Sequence, residues 1–581
     1  MANRGGRPVD PVWQFYVRIE TDGKTRHAKC QECQSLISAK VERLRAHRKK
    51  HDKGSQVNEK SSENPCDILS GSSSTIPAER IESPNSEEPA EPPAKRQRIN
   101  LFQPQVSSFA VKTDQQSKSN LDHQVAKFFY ACNIPFAVAE HPEFKKLVST
   151  LRPGYTPPSR KQISGPLLDD VFNGINDSMA DQLKGKKVTL LQDGWSDIHN
   201  NPVIAHSLHT GNSVHFVSAV ETGSNKKTAA FCTSLAQKAM LEASEKFCCE
   251  VSAVVTDNEK KMDVMRKELQ KEDNELITYG CSAHLLNLVG QDLTPSNIIC
   301  QIVEINKYFR NHHVPGALLS EFSSQGAVKP QIPGETRWNS QLDCVQTFLT
   351  NRPFMVMVIA QNEDVVDVRI VNLINNIGLL KEAKNLLDQL KPVASALDRL
   401  QSDHSTIADA CEEWLKLLQE ESLKPYQKTL KNRFQCAVTP HHILANMLHP
   451  KYRGSRLNSE QKEIGMQTIL AKDPNFLPVM CSFQAESSPF PKSMFAEQCL
   501  QNVTPVVWWQ CVKKTTSGEF HELCDYACSL LKLPASSSSI ERVFSCFGLV
   551  QTKLRNRLGI EKASKLVTCY RHLRGTHELD W

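Results

Sequence analysis

The stretch "KKVTLLQDGWSD" (186–197) decides how the rest of the chain is read. Val188, Leu190 and Leu191 form a short apolar run that breaks off at an Asp–Gly pair, the pattern of a buried strand with an acid, Asp193, at its tip. Two further runs follow at close spacing, "NPVIAHSLHTG" (201–211) and "SVHFVSAVETG" (213–223), set apart by Asn, Gly and Ser. They read as three strands joined by tight turns. Next, Cys232, Leu235, Ala236, Ala239 and Met240 recur at helical spacing. After them come a buried-type strand, "CEVSAVVTDN" (249–258), a charged amphipathic helix (259–272), the strand "LITYG" (276–280) and the helix "CSAHLLNLVGQDL" (281–293). Three strands in a meander, then alternating helices and strands, predict an α/β fold with a mixed sheet flanked by helices.

Asp257 ends the fourth predicted strand as Asp193 ends the first. Each alone reads equally as a turn former, since Asp–Gly and Asp–Asn are turn dipeptides. Two acids at the tips of neighbouring buried strands face one cleft, and such carboxylates attract Mg2+, a hard cation that prefers oxygen. Two metals ~3.5–4 Å apart can direct water, and then a 3′-hydroxyl, in line onto a phosphodiester.

The chain has 581 residues, too many for one ordinary domain. With 39% hydrophobic and 23% charged residues, most of it can bury a core, yet no apolar run reaches the ~20 residues of a membrane span. The polar, basic start lacks a secretory apolar segment, and the nineteen scattered cysteines read as reduced thiols. Residues 1–60 carry 14 Lys and Arg against 7 Asp and Glu, a net of +7, while the whole chain carries +6. The positive field therefore sits on the N-terminal module and favours a polyanionic partner. Residues 54–118 change to Ser, Pro, Glu and Gln and read as a disordered linker. Within it, Lys95, Arg96 and Arg98 form a basic cluster, either a solubilising patch or a nuclear import signal. From 297 to 500 the pattern is helical throughout.

Cys30 and Cys33 form a C-x2-C, and His47 and His51 an H-x3-H thirteen residues later. Two thiolates on a knuckle and two imidazoles one helical turn apart can share one tetrahedral Zn2+; otherwise the histidines are surface residues of a basic helix. Arg43, Arg45, Arg48, Lys49 and Lys50 surround them, a cationic helix suited to DNA phosphates and the major groove. The aromatic lead of Trp13 and Phe15 before this set resembles a BED-type zinc finger, which implies DNA binding.

The strand order is that expected of a ribonuclease H-like fold. "LLQDGWSD", "VVTDN", "CSAHLLNLV", "ETRWNS" (335–340) and "PASSSSIERVFS" (534–545), taken in order, resemble the hAT superfamily of DNA transposases and their domesticated descendants. The likeness runs from about 121 to 575 and includes residues 133–160 and the Trp508–Trp509 pair. It implies a ribonuclease H-like mixed sheet interrupted by a large all-α insertion and preceded by the finger and linker. The divisions are 1–53 finger, 54–118 linker, 119–180 helical DNA-binding region, 181–296 core, 297–500 insertion, and 501–581 last part of the core with a dimerisation region. It further implies a catalytic triad of Asp193, Asp257 and Glu541 holding Mg2+ or Mn2+, with Cys281 and His284 beside it. Arg337 and Trp338 match the family's Arg-Trp pair, whose Trp stacks on an extruded base; a core tryptophan is the other reading. Lys553, Arg555 and Arg557 would touch DNA backbone, and Ile560, Ala563, Leu566, Val567 and Tyr570 share a helical face for packing or dimerisation. The implied function is cut-and-paste transposition on double-stranded DNA, in the nucleus, by a homodimer or higher oligomer. The alternative is a domesticated regulator that binds DNA without cutting it.

Overall fold

The computed structural model describes residues 11–21, 24–38, 43–44, 47–48, 113–334, 339–362, 364–516, 518–552, 555 and 558–575. Arg45, Lys49, Lys50, His51, Arg337, Trp338, Lys553, Arg557 and most of the expected linker lie outside them. The chain divides into two compact units, Met1–Leu101 and Phe102–Trp581.

In the first unit β1 (Tyr16–Thr21), β2 (Lys24–Cys30) and β3 (Leu36–Ser38) form an antiparallel sheet in sequence order. Between β2 and β3 the chain doubles back tightly: Cys30 N–H donates to the Ser35 carbonyl, and Gln34, at φ 60°, donates to the Cys30 carbonyl. Val12, Tyr16, Ala28, Cys30 and Leu44 are the buried side chains here. A core that small needs a metal or disulfide staple.

The second unit is built on a five-stranded sheet in the order β6-β5-β4-β7-β8. β4 (Lys187–Ser196), β5 (Pro202–His209) and β6 (Val214–Glu221) run as an antiparallel meander. β7 (Glu250–Thr256) and β8 (Ile277–Gly280) add in parallel to the other side of β4. The framing helices are α1 (Gln115–Ala131), α2 (Pro142–Leu151), α3 (Pro166–Leu183), α4 (Ala229–Phe247), α5 (Lys260–Glu272) and α6 (Ser282–Leu293). On α4 the expected face is inside: Cys232, Leu235, Ala236 and Ala239 are buried. β4 is central, so Val188 to Gln192 are all buried, as a strand covered on both faces must be.

The helices after α6 serve two cores. One core is built from residues between Cys281 and Ala437, with Ala535, and takes in the buried face of α7 (Ile377–Leu400). Helices from Ile443 onward pack instead into the core around the sheet. Helix α8 (Ile407–Gln419) joins the two, with Ile407, Ala408, Cys411 and Leu415 on the sheet side and Ala410, Trp414 and Leu417 on the other. A helix apolar on both faces is a buried one. The chain ends on α9 (Ser538–Val550), which packs across β4, β5 and β6, and α10 (Ile560–Gly575), which packs on α1, α3 and β6. On α10, Ala563, Leu566 and Val567 are buried, while Ile560 and Tyr570 are half-buried. No helix among the described residues is long and apolar enough to cross a membrane.

Candidate functional site

β4 and β7 stay paired only as far as Gln192 opposite Thr256. Asp193 and Asp257 are the next residues on the two strands, so both carboxylates leave the sheet at one level, where the parallel ladder stops. β4 itself runs on to Ser196, beyond the end expected at Asp193, because β5 keeps pairing with it through Ser196 opposite Pro202. Asp193 Oδ1 accepts the Gly194 N–H at 2.7 Å, and Asp257 Oδ1 accepts the Glu259 N–H at 3.1 Å. A Cβ at Gly194 would come within 2.9 Å of the Lys227 ammonium and 3.3 Å of the Val203 carbonyl, so glycine lets the Lys227 side chain lie close against the strand.

Glu541 reaches the same place from the other end of the chain, in the first turn of α9. The N-cap Ser537 makes no side-chain bond to its own helix, and Ser536 Oγ takes only a long bond, 3.4 Å, from the Ser538 N–H at its first residue. The serines dock the helix. Ser536 Oγ donates to the Leu400 carbonyl (2.8 Å) and Ser538 Oγ to the Gln401 carbonyl (3.1 Å), which are orphan acceptors at the end of α7. Ala535 N–H donates to the Ser405 carbonyl (2.8 Å), and Tyr279 hydroxyl, at the end of β8, to the Pro534 carbonyl (2.9 Å). Arg542 adds a bond to the Gln401 carbonyl and an ion pair with Asp403. Small hydroxyl residues suit this seat because four consecutive side chains, Ser536 to Ser539, are buried in it.

Cys281 is the hinge pin. Its thiol accepts the His284 N–H as the N-cap of α6 and also the Ser537 N–H, both at 3.4 Å. Burial raises its pKa, so it is a neutral packed thiol. Asn258 donates to the Cys281 carbonyl (2.7 Å), and only glycine fits at 280, where a Cβ would lie 1.7 Å from the Asn258 side-chain oxygen.

These ties place three half-buried carboxylates in one field. Burial, together with the negative charges of Asp257 and Glu541, pushes Asp193 up to about 7 against the pull of the Gly194 N–H and Lys227. Asp257 is also raised, by burial and by Glu259, while its bond from Glu259 N–H, His284 and Lys261 act the other way. The sequence reading missed Lys227, Lys261 and Arg266. Arg266, which is buried, donates to the Asp257 carbonyl (2.8 Å) and to Thr256 Oγ1 (2.6 Å), fixing the turn that carries the acid. Nothing in the periodicity of α5 separates it from the solvent-facing cations of the same helix. Arg555, expected among DNA-facing cations, is bonded through its guanidinium to the Asn133 side chain and carbonyl.

A second site lies in the first unit. Donor atoms of Cys30, Cys33 and His47 lie within 4.8 Å of one another, the one such set among the described residues; the three carboxylates are not gathered that closely. Cys33 Sγ is 3.4 Å from His47 Nε2. Tyr16, absent from the sequence reading, orients the imidazole. Its hydroxyl donates to the Leu44 carbonyl (2.9 Å) and lies 3.0 Å from His47 Nδ1. With its one proton given to Leu44, it accepts from Nδ1–H, and the Nε2 lone pair is left facing the thiols. Arg48 stacks over Phe15 at 4.0 Å and pairs with Glu32; Arg43 is exposed.

Residues 158–308 match the family described as a domain of unknown function (DUF659). Residues 490–573, which include Glu541 and its serine seat, match the hAT family C-terminal dimerisation region. No curated protein matches the chain. The C-terminal region is thus that of the hAT family, and the two matches together support a hAT-family protein.

Proposed function

We propose that this protein is a cut-and-paste DNA transposase with a ribonuclease H-like core and a BED-type zinc finger, acting in the nucleus on double-stranded DNA. One observation carries the reading: Asp193 and Asp257 leave the central strand pair side by side where its pairing stops, and the charge of Glu541, from a distant segment, acts on Asp193 there as that of Asp257 does. Three carboxylates in a half-buried place raise one another's cost of ionising, and Asp193 and Asp257 stay raised even with Lys227 and Lys261 beside them, so the place favours a further cation. Their donor chemistry fits a hard divalent cation. Mg2+ or Mn2+ held there would supply Lewis acidity for attack on a phosphodiester.

The chain's own residues do the positioning. Gly194 N–H, Glu259 N–H and Arg266 fix the two aspartates, and the serine seat fixes Glu541. Lys227 and Lys261 supply positive charge beside them and suit a phosphate approaching the acids. The sheet order, a three-strand meander with two parallel additions, supports the ribonuclease H-like reading. The Cys30, Cys33 and His47 set supports zinc in the finger, with His51 as the fourth ligand by spacing. Cations around it would bind phosphates.

The test is cleavage of duplexes spanning the sequence on either side of the gene, where a transposon's terminal repeats would lie, in Mg2+, by the full chain and by Asp193→Asn and Glu541→Gln. Transposase activity gives strand cuts at the repeat ends with wild type and none with either variant. Specific binding without cutting by wild type would reject the catalytic reading and assign the chain to non-catalytic DNA binding.

A further inference from the structure

Helix α1 carries two apolar stripes. Ala126, Phe129 and Tyr130 face the core, and the Tyr130 hydroxyl donates to the Ile163 carbonyl at 2.7 Å. A second stripe runs beside it: Leu121, Val125, Phe128 and Cys132, spaced four, three and four residues apart. That is the spacing of a helix seam made to meet another helix. Leu121 and Val125 are half-buried, Val125 against the core around the sheet, but Phe128 is 51% exposed and Cys132, just past the helix, is exposed. Helix α2, whose Phe144 packs edge-on against Phe129, carries two more bare leucines, Leu147 and Leu151, the latter 77% exposed.

This surface is fastened to the dimerisation region. Asn133, just past α1 and in the left-handed conformation at φ 51°, donates its side-chain amide to the Leu549 carbonyl at 2.9 Å. Arg555, within the same region, returns bonds to the Asn133 carbonyl and side chain. α10 packs along α1. Leu549 is itself 51% exposed, at the end of α9 where the Phe128–Cys132 end of the stripe arrives.

We propose that the seam of α1 is part of the dimer interface, and that its occupant is a second copy of this chain. A region that dimerises, tied by Asn133 to the exposed end of this seam, extends its apolar surface onto α1, and a symmetric pair of copies would bury both. The proposal rests on the dimerisation region and not on the carboxylate chemistry, so a mass measurement tests it separately from cleavage.

The experiment is sedimentation equilibrium of the full chain with Phe128→Glu, Leu549→Glu and, as control, Val368→Glu, which alters a 74% exposed residue in the helical block. Wild type and the control should sediment as dimers of the 65.3 kDa chain. Phe128→Glu and Leu549→Glu should each weaken dimerisation at least tenfold. Thermal melts of the variants verify folding, and Leu121→Gln, a milder change in the same seam, should act in the same direction. A monomeric wild type would overturn the proposal. So would a Phe128→Glu and a Leu121→Gln that both dimerise as wild type does, which would give the stripe to residues 51–112 of the same chain or to a different protein.

Discussion

Replacing Asp193 by Asn should stabilise the metal-free protein, and the gain should depend on pH. Burial pushes the Asp193 carboxyl up to about 7 in the folded chain, from its ordinary value of 3.8. A raised folded pKa means the native state holds this proton more tightly. The stabilisation from that proton is complete below pH 3.8 and is lost as pH rises to about 7. The shift of roughly 3 pH units corresponds to about 4 kcal/mol at full weight. Partial solvent access halves that to roughly 2 kcal/mol. Asn keeps the acceptor for the Gly194 N–H and never ionises, so it escapes the loss. Urea unfolding in EDTA should therefore show no difference between the two proteins at pH 4 and a more stable Asn variant at pH 8. Excess Mg2+ should reverse the ranking, because wild type gains binding free energy that the variant lacks. An Asn variant that is less stable than wild type by the same amount at pH 5 and pH 8 would refute the electrostatic reasoning.

Other expected outcomes are as direct. Tyr16→Phe should weaken zinc binding about 10–100-fold in a chelator competition, because His47 loses the partner that sets its tautomer. Ser536→Ala leaves the Leu400 carbonyl unpaired in a buried place and should cost about 1–3 kcal/mol in denaturant unfolding. Gly280→Ala forces a methyl group into the Asn258 amide and should lower stability by about 1–3 kcal/mol while loosening the turn that carries Asp257.

The sheet was legible because its strands are short apolar runs with turn residues at both ends; β4 to β8 lie where "VTLLQ", "VIAHSL", "HFVSAV", "VSAVV" and "ITYG" predict them. The level at which Asp193 and Asp257 leave the sheet was not legible, since register depends on pairing across the chain and not on local pattern. Serines favour N-caps, so the run before Glu541 carries the local pattern of a helix start. Their hydroxyls answer instead the loose carbonyls of α7, more than a hundred residues away. The helical block gave no sign that helices past Ile443 join the sheet's core, because helical periodicity reports a buried face without naming what buries it. Tyr16 and Arg266 act through long-range hydrogen bonds and carry no spacing signal at all.

Iron-directed backbone cutting tests the central claim without knowledge of the DNA sequence. Fe2+ substituted for Mg2+ and treated with ascorbate and peroxide generates radicals beside the bound metal. The account predicts peptide cuts clustered at residues 193, 257 and 541, suppressed by excess Mg2+ and absent in Asp257→Asn. Cuts elsewhere in the chain, or no Mg2+-suppressible cut at all, would contradict it.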